Sequence, residues 1–214
     1  MHRLLDKGLE DLTTTVFKMG EVAQKVLTLS LRGYIRGRDS SEDVCELSEV
    51  LVAMTMDVEE KAFRLIAKYQ PVASDLRIIN SYMKIAYDFE RYGRYALDIS
   101  SISKRVGVLE DCEEWIPRFI EDMGEKVLQM VIVVLDSLKS LDVDLAKSVA
   151  KSEQEVDEMY FQYLGKLVEE AGITNKCTIS SVLVVRYLER IADHTTYVGE
   201  SVVYIVTGKK VTLR

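Results

Sequence analysis

Proline is nearly absent from this chain of 214 residues: there are 2, beside 11 glycines. A β-sandwich or barrel needs many turn residues, so this shortage excludes those folds and points to helices. Cysteine is also scarce. Cys45, Cys112 and Cys177 are scattered and odd in number, and no CxxC occurs. That spacing argues against a disulfide framework or a zinc ribbon and suits a reducing cytoplasm. Only 2 histidines occur, His2 at the terminus and His194. A Ser/His/Asp or Cys/His set cannot be assembled from one usable histidine, so nucleophilic catalysis has no support. Neither GxxxxGK[ST] nor GxGxxG is found, which removes nucleotide binding through a Gly-rich loop. A basic excess is missing too. Lys and Arg total 28 against 35 Asp and Glu, for a formal net charge of -7, and a nucleic-acid partner is therefore not expected. The run Val127 to Leu135, bounded by Lys126 and Asp136, is far short of the roughly 20 residues that span a bilayer. The opening Met1-His2-Arg3-Leu4-Leu5-Asp6-Lys7 leads into no apolar signal-peptide core. The expectation is a cytoplasmic protein with no direct membrane insertion.

What the chain does contain is apolar residues, 48% of the total, with 29% charged. It can bury a core, and its length suits one large domain or two small ones. Helical periodicity runs from end to end. A first helix is predicted over Leu4 to Arg36, with Leu5, Leu9, Leu12, Val16, Met19, Ala23, Val26, Leu27 and Leu31 on its apolar face. Asp39 and Glu42 have the spacing of a capping box. A second helix runs to Tyr69, where Gln70-Pro71 breaks the pattern. The third covers Val72 to Lys104, its stripe being Ile78, Tyr82, Ile85, Phe89, Tyr92, Ala96 and Ile99. Asp75 and Arg77 are candidates to cap it, the Asp carboxylate suiting a helix N-terminus. Val106-Gly107 marks a break. A fourth helix, with Pro117 in its early turns, extends to Leu138. A turn at Ser140 to Asp142 precedes a fifth, ending near Gly172. Thr178 or Ser180 caps a sixth that runs to Thr207 and is closed by Gly208.

The six helices contain a repeat. Met19-Gly20-Glu21 recurs as Met123-Gly124-Glu125, and Glu90-Arg91 recurs as Glu189-Arg190. On the same register Ile85, Phe89, Tyr92 and Ile99 match Val184, Leu188, Ile191 and Val198. The fold expected is all-α, with two tandem antiparallel three-helix bundles over 1–106 and 107–214.

Two acidic pairs stand out. Glu153 and Asp157 are four apart on the fifth helix, as are Glu189 and Asp193 on the sixth. Residues i and i+4 project from one face, so antiparallel packing would bring four carboxylates to one patch. Such a patch repels itself and favours a hard or borderline cation. A solvated helix face gives the same spacing, and 35 acids in 214 residues produce about six such pairs by chance. Glu189 and Asp193 are also read as lying on a flank of the sixth helix, off its core stripe. His194 diverges from Asp193 by about 100° and reads as a surface histidine. Trp115 and the tyrosines read as core and interface fillers. Lys209-Lys210 reads as a solvated tail.

Tyr69-Gln70-Pro71-Val72-Ala73-Ser74-Asp75-Leu76-Arg77, followed by Asp88-Phe89-Glu90-Arg91-Tyr92-Gly93, resembles the pattern of the phosphate-uptake regulator family PhoU. Leu188-Glu189-Arg190-Ile191-Ala192-Asp193 is similar to its second copy, and the likeness covers essentially the whole chain. It implies two similar three-helix bundles and a cytoplasmic negative regulator of phosphate uptake. Such an adaptor works between the ATPase subunit of a phosphate ABC transporter and, in many bacteria, a sensor histidine kinase. It also implies metal ions on the bundle surface (iron foremost, otherwise Mn, Zn or Mg), bound by an E(D)xxxD motif from two helices of each repeat. The second repeat keeps all four positions, Glu153, Asp157, Glu189 and Asp193. The first departs from the pattern. Glu90 is present, but Arg94 stands where an acid is expected, and the facing motif falls at Ser48 with Val52 or at Glu49 with Ala53. A guanidinium at Arg94 would fill the space of a metal and pair with Glu90.

The reading is therefore a regulator that binds and does not catalyse, with a homodimer as the commonest assembly for such a chain. Two alternatives are a helical scaffold without metal and a regulator of another transporter. A di-metal oxidase is disfavoured, because its two Glu-x-x-His pairs are absent.

Overall fold

The computed structural model describes residues 4–106, 109, 112–169 and 176–214. Among them are six long α-helices and no strand: α1 (Leu4–Arg36), α2 (Ser41–Tyr69), α3 (Ala73–Arg105), α4 (Trp115–Ser140), α5 (Val143–Glu169) and α6 (Lys176–Thr207). Their ends follow local chemistry. Gln70 turns left-handed ahead of Pro71 and closes α2 by donating its N–H to the Ile66 carbonyl. Leu141 does the same for α4. Asp142 then caps α5, its Oδ1 accepting the N–H groups of Asp144 and Leu145 at 2.9 Å. Gly208 closes α6 at φ 71°, a conformation that favours glycine.

Several expected details change. The Asp39–Glu42 capping box does not form. Ser40 is the N-cap of α2 and makes no side-chain cap bond, while Asp39 Oδ1 accepts the Ser41 N–H at 2.9 Å. Thr178 and Ser180 lie inside α6, which begins at Lys176. Asp75 does sit in the first turn of α3, but Arg77 reaches away from it. Arg77 Nε donates to the Ile205 carbonyl at 3.2 Å, and its guanidinium lies over the Tyr204 ring. Cys112 and Cys177 form a disulfide, with Cα atoms 5.6 Å apart, and Cys45 is free. This corrects the reading of the cysteines as unpaired and withdraws their support for a reducing compartment: α6 begins at Lys176, so Cys177 lies in its first turn and reaches Cys112 ahead of α4. The breaks assigned to Gly107 and Gly172, and His2, lie outside the described residues.

Helices α1, α2 and α3 pack on one another, and so do α4, α5 and α6. The two bundles join through α3 on α6 and α1 on α4. The repeated glycines make the second junction. A Cβ built on Gly20 would lie 2.5 Å from Leu135 Cδ2, and one on Gly124 would lie 3.7 Å from Leu31 Cδ1. Leu31 and Leu135 are equivalents on the same register, so α1 and α4 cross with approximate two-fold symmetry.

The α3–α6 junction carries buried polar bonds. Tyr92 OH and Thr195 Oγ1 are 2.7 Å apart. Asp88 Oδ1 meets His194 Nδ1 at 2.8 Å, and Tyr95 OH lies 3.3 Å from His194 Nε2. His194 is 5% exposed, so it is a core residue and not a surface one. The reason is architectural: α6 is covered by α3 as well as by α4 and α5. A helix with three neighbours buries more than one stripe.

Candidate functional site

Antiparallel packing of α5 on α6 brings Glu153, Asp157, Glu189 and Asp193 to the walls of one groove of about 590 Å³. The expected juxtaposition is present; the expected flank exposure is not. Asp193 and Glu153 are buried, and the Glu189 side chain is only 12% exposed. Asp157 remains exposed. The facing helix α5, the α6 arginines and Arg214 from the tail cover this flank.

Burial and mutual repulsion set the electrostatics. Burial pushes the Glu153 carboxyl above its ordinary value, and the Asp193 and Asp157 charges add to it, with Arg214 opposing. Glu189 is raised by burial and then by Asp193, against Arg186 and Arg190. Arg190 belongs to the repeated Glu-Arg block, but its pairing with an acid, and that of Arg186, is not among the sequence expectations. Arg186 Nη1 donates to Glu189 Oε2 at 2.7 Å, and Arg190 Nη1 donates to Asp193 Oδ2 at 2.7 Å. Both pairs have i,i+3 spacing, a signal that could have found them. Arg214 comes from the tail. Its Nη1 lies 3.4 Å from Asp193 Oδ1, and its guanidinium sits over Tyr197 at 4.8 Å. The tail is anchored by buried Leu213, whose N–H donates to Glu200 Oε1 at 3.0 Å. Only Lys209 and Lys210 are the solvated stretch expected there.

The donor set suits a metal by chemistry, being all carboxylate oxygen with no thiol or imidazole. Its arrangement does not. Among the described residues no three acidic, histidine or cysteine side chains converge closely enough to hold an ion. The α6 carboxylates already carry arginine counter-charges, which a metal would have to displace.

The first repeat has the ion pair foreseen for it. Arg94 Nε and Nη2 both donate to Glu90 Oε1, at 2.9 and 2.6 Å. On α2 the structure also selects a register. Ser48 is buried, its Oγ 3.4 Å from a Cβ built on Gly93 of α3, while Glu49 is exposed. Ser48 with Val52 therefore faces Glu90 and Arg94. No second carboxylate comes from that pair.

Trp115 takes part in an aromatic cluster with Phe119 and Tyr163, and Lys166 Nζ lies 3.9 Å above its ring. No helix among the described residues is long and apolar enough to cross a membrane.

Comparison with known proteins follows the same division into repeats. The PhoU domain matches residues 16–103 and again 120–202. A phosphate-specific transport system accessory protein PhoU homolog of Clostridium acetobutylicum is 33% identical over 218 residues, covering 99% of this chain and 98% of its own. A protein of the same description from Pseudomonas aeruginosa is 34% identical, over 95% of this chain and 85% of its own. The crystal structure of PhoU from Pseudomonas aeruginosa superposes with a TM-score of 0.88 at 30% identity, covering 95% of this chain and 99% of that one. PhoU from Streptococcus pneumoniae, with a TM-score of 0.75 and 22% identity over 97% of this chain and 99% of that one, shares the fold. The chain belongs to the PhoU family.

Proposed function

We propose that this chain is a cytoplasmic accessory regulator that lowers phosphate uptake by binding, without catalysing a reaction. Its partners are the ATPase subunit of a phosphate ABC transporter and, where the organism has one, a sensor histidine kinase. The assembly is a homodimer. The observation that supports this reading most is full-length similarity to phosphate transport accessory proteins across both repeats. The chemistry agrees with it. The lone usable histidine, His194, is tied to Asp88 and Tyr95 in the core and is no candidate acid–base group for a bound substrate.

Once its arginines are displaced, the second-repeat groove would take a cation of the hard or borderline class, iron foremost, with Mn, Zn and Mg as the other candidates. Glu153, Asp157, Glu189 and Asp193 would hold it, and it would supply a fixed positive charge in place of arginine. Glu153 and Asp157 make no ion pair among the described residues. Glu189 and Asp193 must exchange Arg186, Arg190 and Arg214. Those same pairs favour a second reading, in which the groove is neutralised by arginine and the protein is a metal-free scaffold.

Elemental mass spectrometry separates the two. Protein exposed anaerobically to Fe, Mn, Zn and Mg, then desalted, retains metal on the first reading and loses it in Glu189→Ala/Asp193→Ala. Retention of no metal by wild type selects the scaffold. Adaptor function is tested by co-purification with the transporter's ATPase subunit, and absence of the complex at high concentration of both would count against it.

A further inference from the structure

A second groove, of about 630 Å³, is basic where the first is acidic. It is formed by the last turns of α1 and the α1–α2 turn, and Lys25, Arg32, Arg36 and Arg38 line it. Four cations gathered in one concavity are unexpected in a chain of net charge -7. None of the four makes an ion pair among the described residues. Two acids share the groove, one paired with a cation and one still charged, so four cations face a single uncompensated carboxylate. Glu21 Oε1 accepts from Lys139 Nζ of α4 at 3.2 Å, and Asp39 Oδ1 accepts the Ser41 N–H at 2.9 Å. Glu42 and Asp43, in the first turn of α2, are not among the lining residues.

A basic residue at a helix C-terminus is ordinary, because it offsets the negative end of the helix dipole. That accounts for Arg36 alone. Lys25 and Arg32 lie further back in α1, and Arg38 lies beyond it. The repeat supplies an internal control. On the register that aligns Gly20 with Gly124, the four cations correspond to Gln129, Asp136, Ser140 and Asp142. The bundle therefore folds without positive charge at these positions, and the basic groove belongs to the first repeat only.

We propose that this groove binds a small polyvalent phosphate anion. Guanidinium groups take phosphate oxygens through paired N–H donors, and three arginines with one lysine match two or more negative charges. An open groove of about 630 Å³ has room for a small molecule. The site is separate from the carboxylate groove, so it stands whether or not that groove binds metal.

Isothermal titration of the full chain with inorganic pyrophosphate tests the proposal, with orthophosphate, ATP and an oligoglutamate peptide as further arms. Saturable pyrophosphate binding that weakens about tenfold or more in Arg32→Ala/Arg36→Ala, with affinity falling as salt rises, is the expected result. Lys147→Ala, an exposed cation on α5, should bind like wild type. Equal binding of ATP would identify the phosphate chain as the recognised part, and tighter binding of ATP would place a nucleotide there; both agree with the proposal. No saturation by pyrophosphate at millimolar concentration overturns it. So does binding that Arg32→Ala/Arg36→Ala leaves unchanged, or oligoglutamate binding more tightly than pyrophosphate. All four arginine- and lysine-bearing positions are exposed, so the variants should fold, and circular dichroism would verify it.

Discussion

Alanine at Gly20 and alanine at Gly124 should differ in their effect on stability, although the two positions are equivalents in the repeat. Both glycines sit inside helices, where replacement by alanine favours the helix by about 1 kcal/mol. That gain cancels between them, so the surroundings decide the difference. At Gly124 the new methyl would find Leu31 at 3.7 and 3.8 Å, an ordinary contact. At Gly20 it would lie 2.5 Å from Leu135 Cδ2 and 3.3 Å from Phe89 Cε2. The leucine tip can rotate, but the Phe89 ring is fully buried and closes the way out. Overpacking of this kind costs about 1–3 kcal/mol. Gly124→Ala should therefore stabilise slightly, and Gly20→Ala should be about 1–3 kcal/mol less stable than it. For a chain of this size the gap corresponds to roughly 2–12 °C in Tm. Thermal unfolding followed by circular dichroism would measure it. Adding Leu135→Val should recover much of the loss in Gly20→Ala through a non-additive coupling. If Gly20→Ala were as stable as Gly124→Ala, the close α1–α4 crossing described above would be wrong.

Three other outcomes follow from the interior. His194→Ala should cost about 3–5 kcal/mol by leaving Asp88 buried without its partner, and Asp88→Leu/His194→Leu should cost less than the sum of the single changes, as chemical denaturation would show. Glu153 has a folded-state pKa raised by burial, so its contribution to stability is greatest at acid pH and is lost as pH rises through the raised value; Glu153→Gln should flatten the fall of Tm that begins above the ordinary carboxylate range. Reduction of Cys112–Cys177 reopens a loop with a sequence separation of 65 and should lower stability by up to about 4 kcal/mol; equal denaturation curves for wild type and Cys112→Ser/Cys177→Ser would contradict that.

Much of this architecture is legible in sequence because long helices repeat their pattern many times. The apolar faces of α1 and α3 are read directly from steps of three and four, and Gln70-Pro71 and Gly208 end their helices as their backbone chemistry requires. The carboxylate groove is legible for a related reason. Each i,i+4 pair keeps to one face of its own helix, and the packing of α5 on α6 turns both faces to one groove. Periodicity fails where a helix has more than one covered side. His194 and Asp193 look peripheral from the stripe through Leu188, yet α3 of the other repeat covers His194 and the α5 groove with Arg214 covers Asp193. Contacts between residues far apart in sequence leave no local mark either. The Cys112–Cys177 bond and the reach of Arg214 to Asp193 depend on where the chain returns, which spacing does not encode. Ser40 displaced Asp39 as N-cap by a single residue, the scale on which helix ends are least determined.

Restraint of phosphate uptake by this chain is measured with radiolabelled phosphate in cells of the source organism grown in phosphate-rich medium, with the chain deleted and then restored. Faster uptake on deletion and a return to the restrained rate on restoration are expected. Uptake that is the same in the presence and absence of the chain would contradict this restraint.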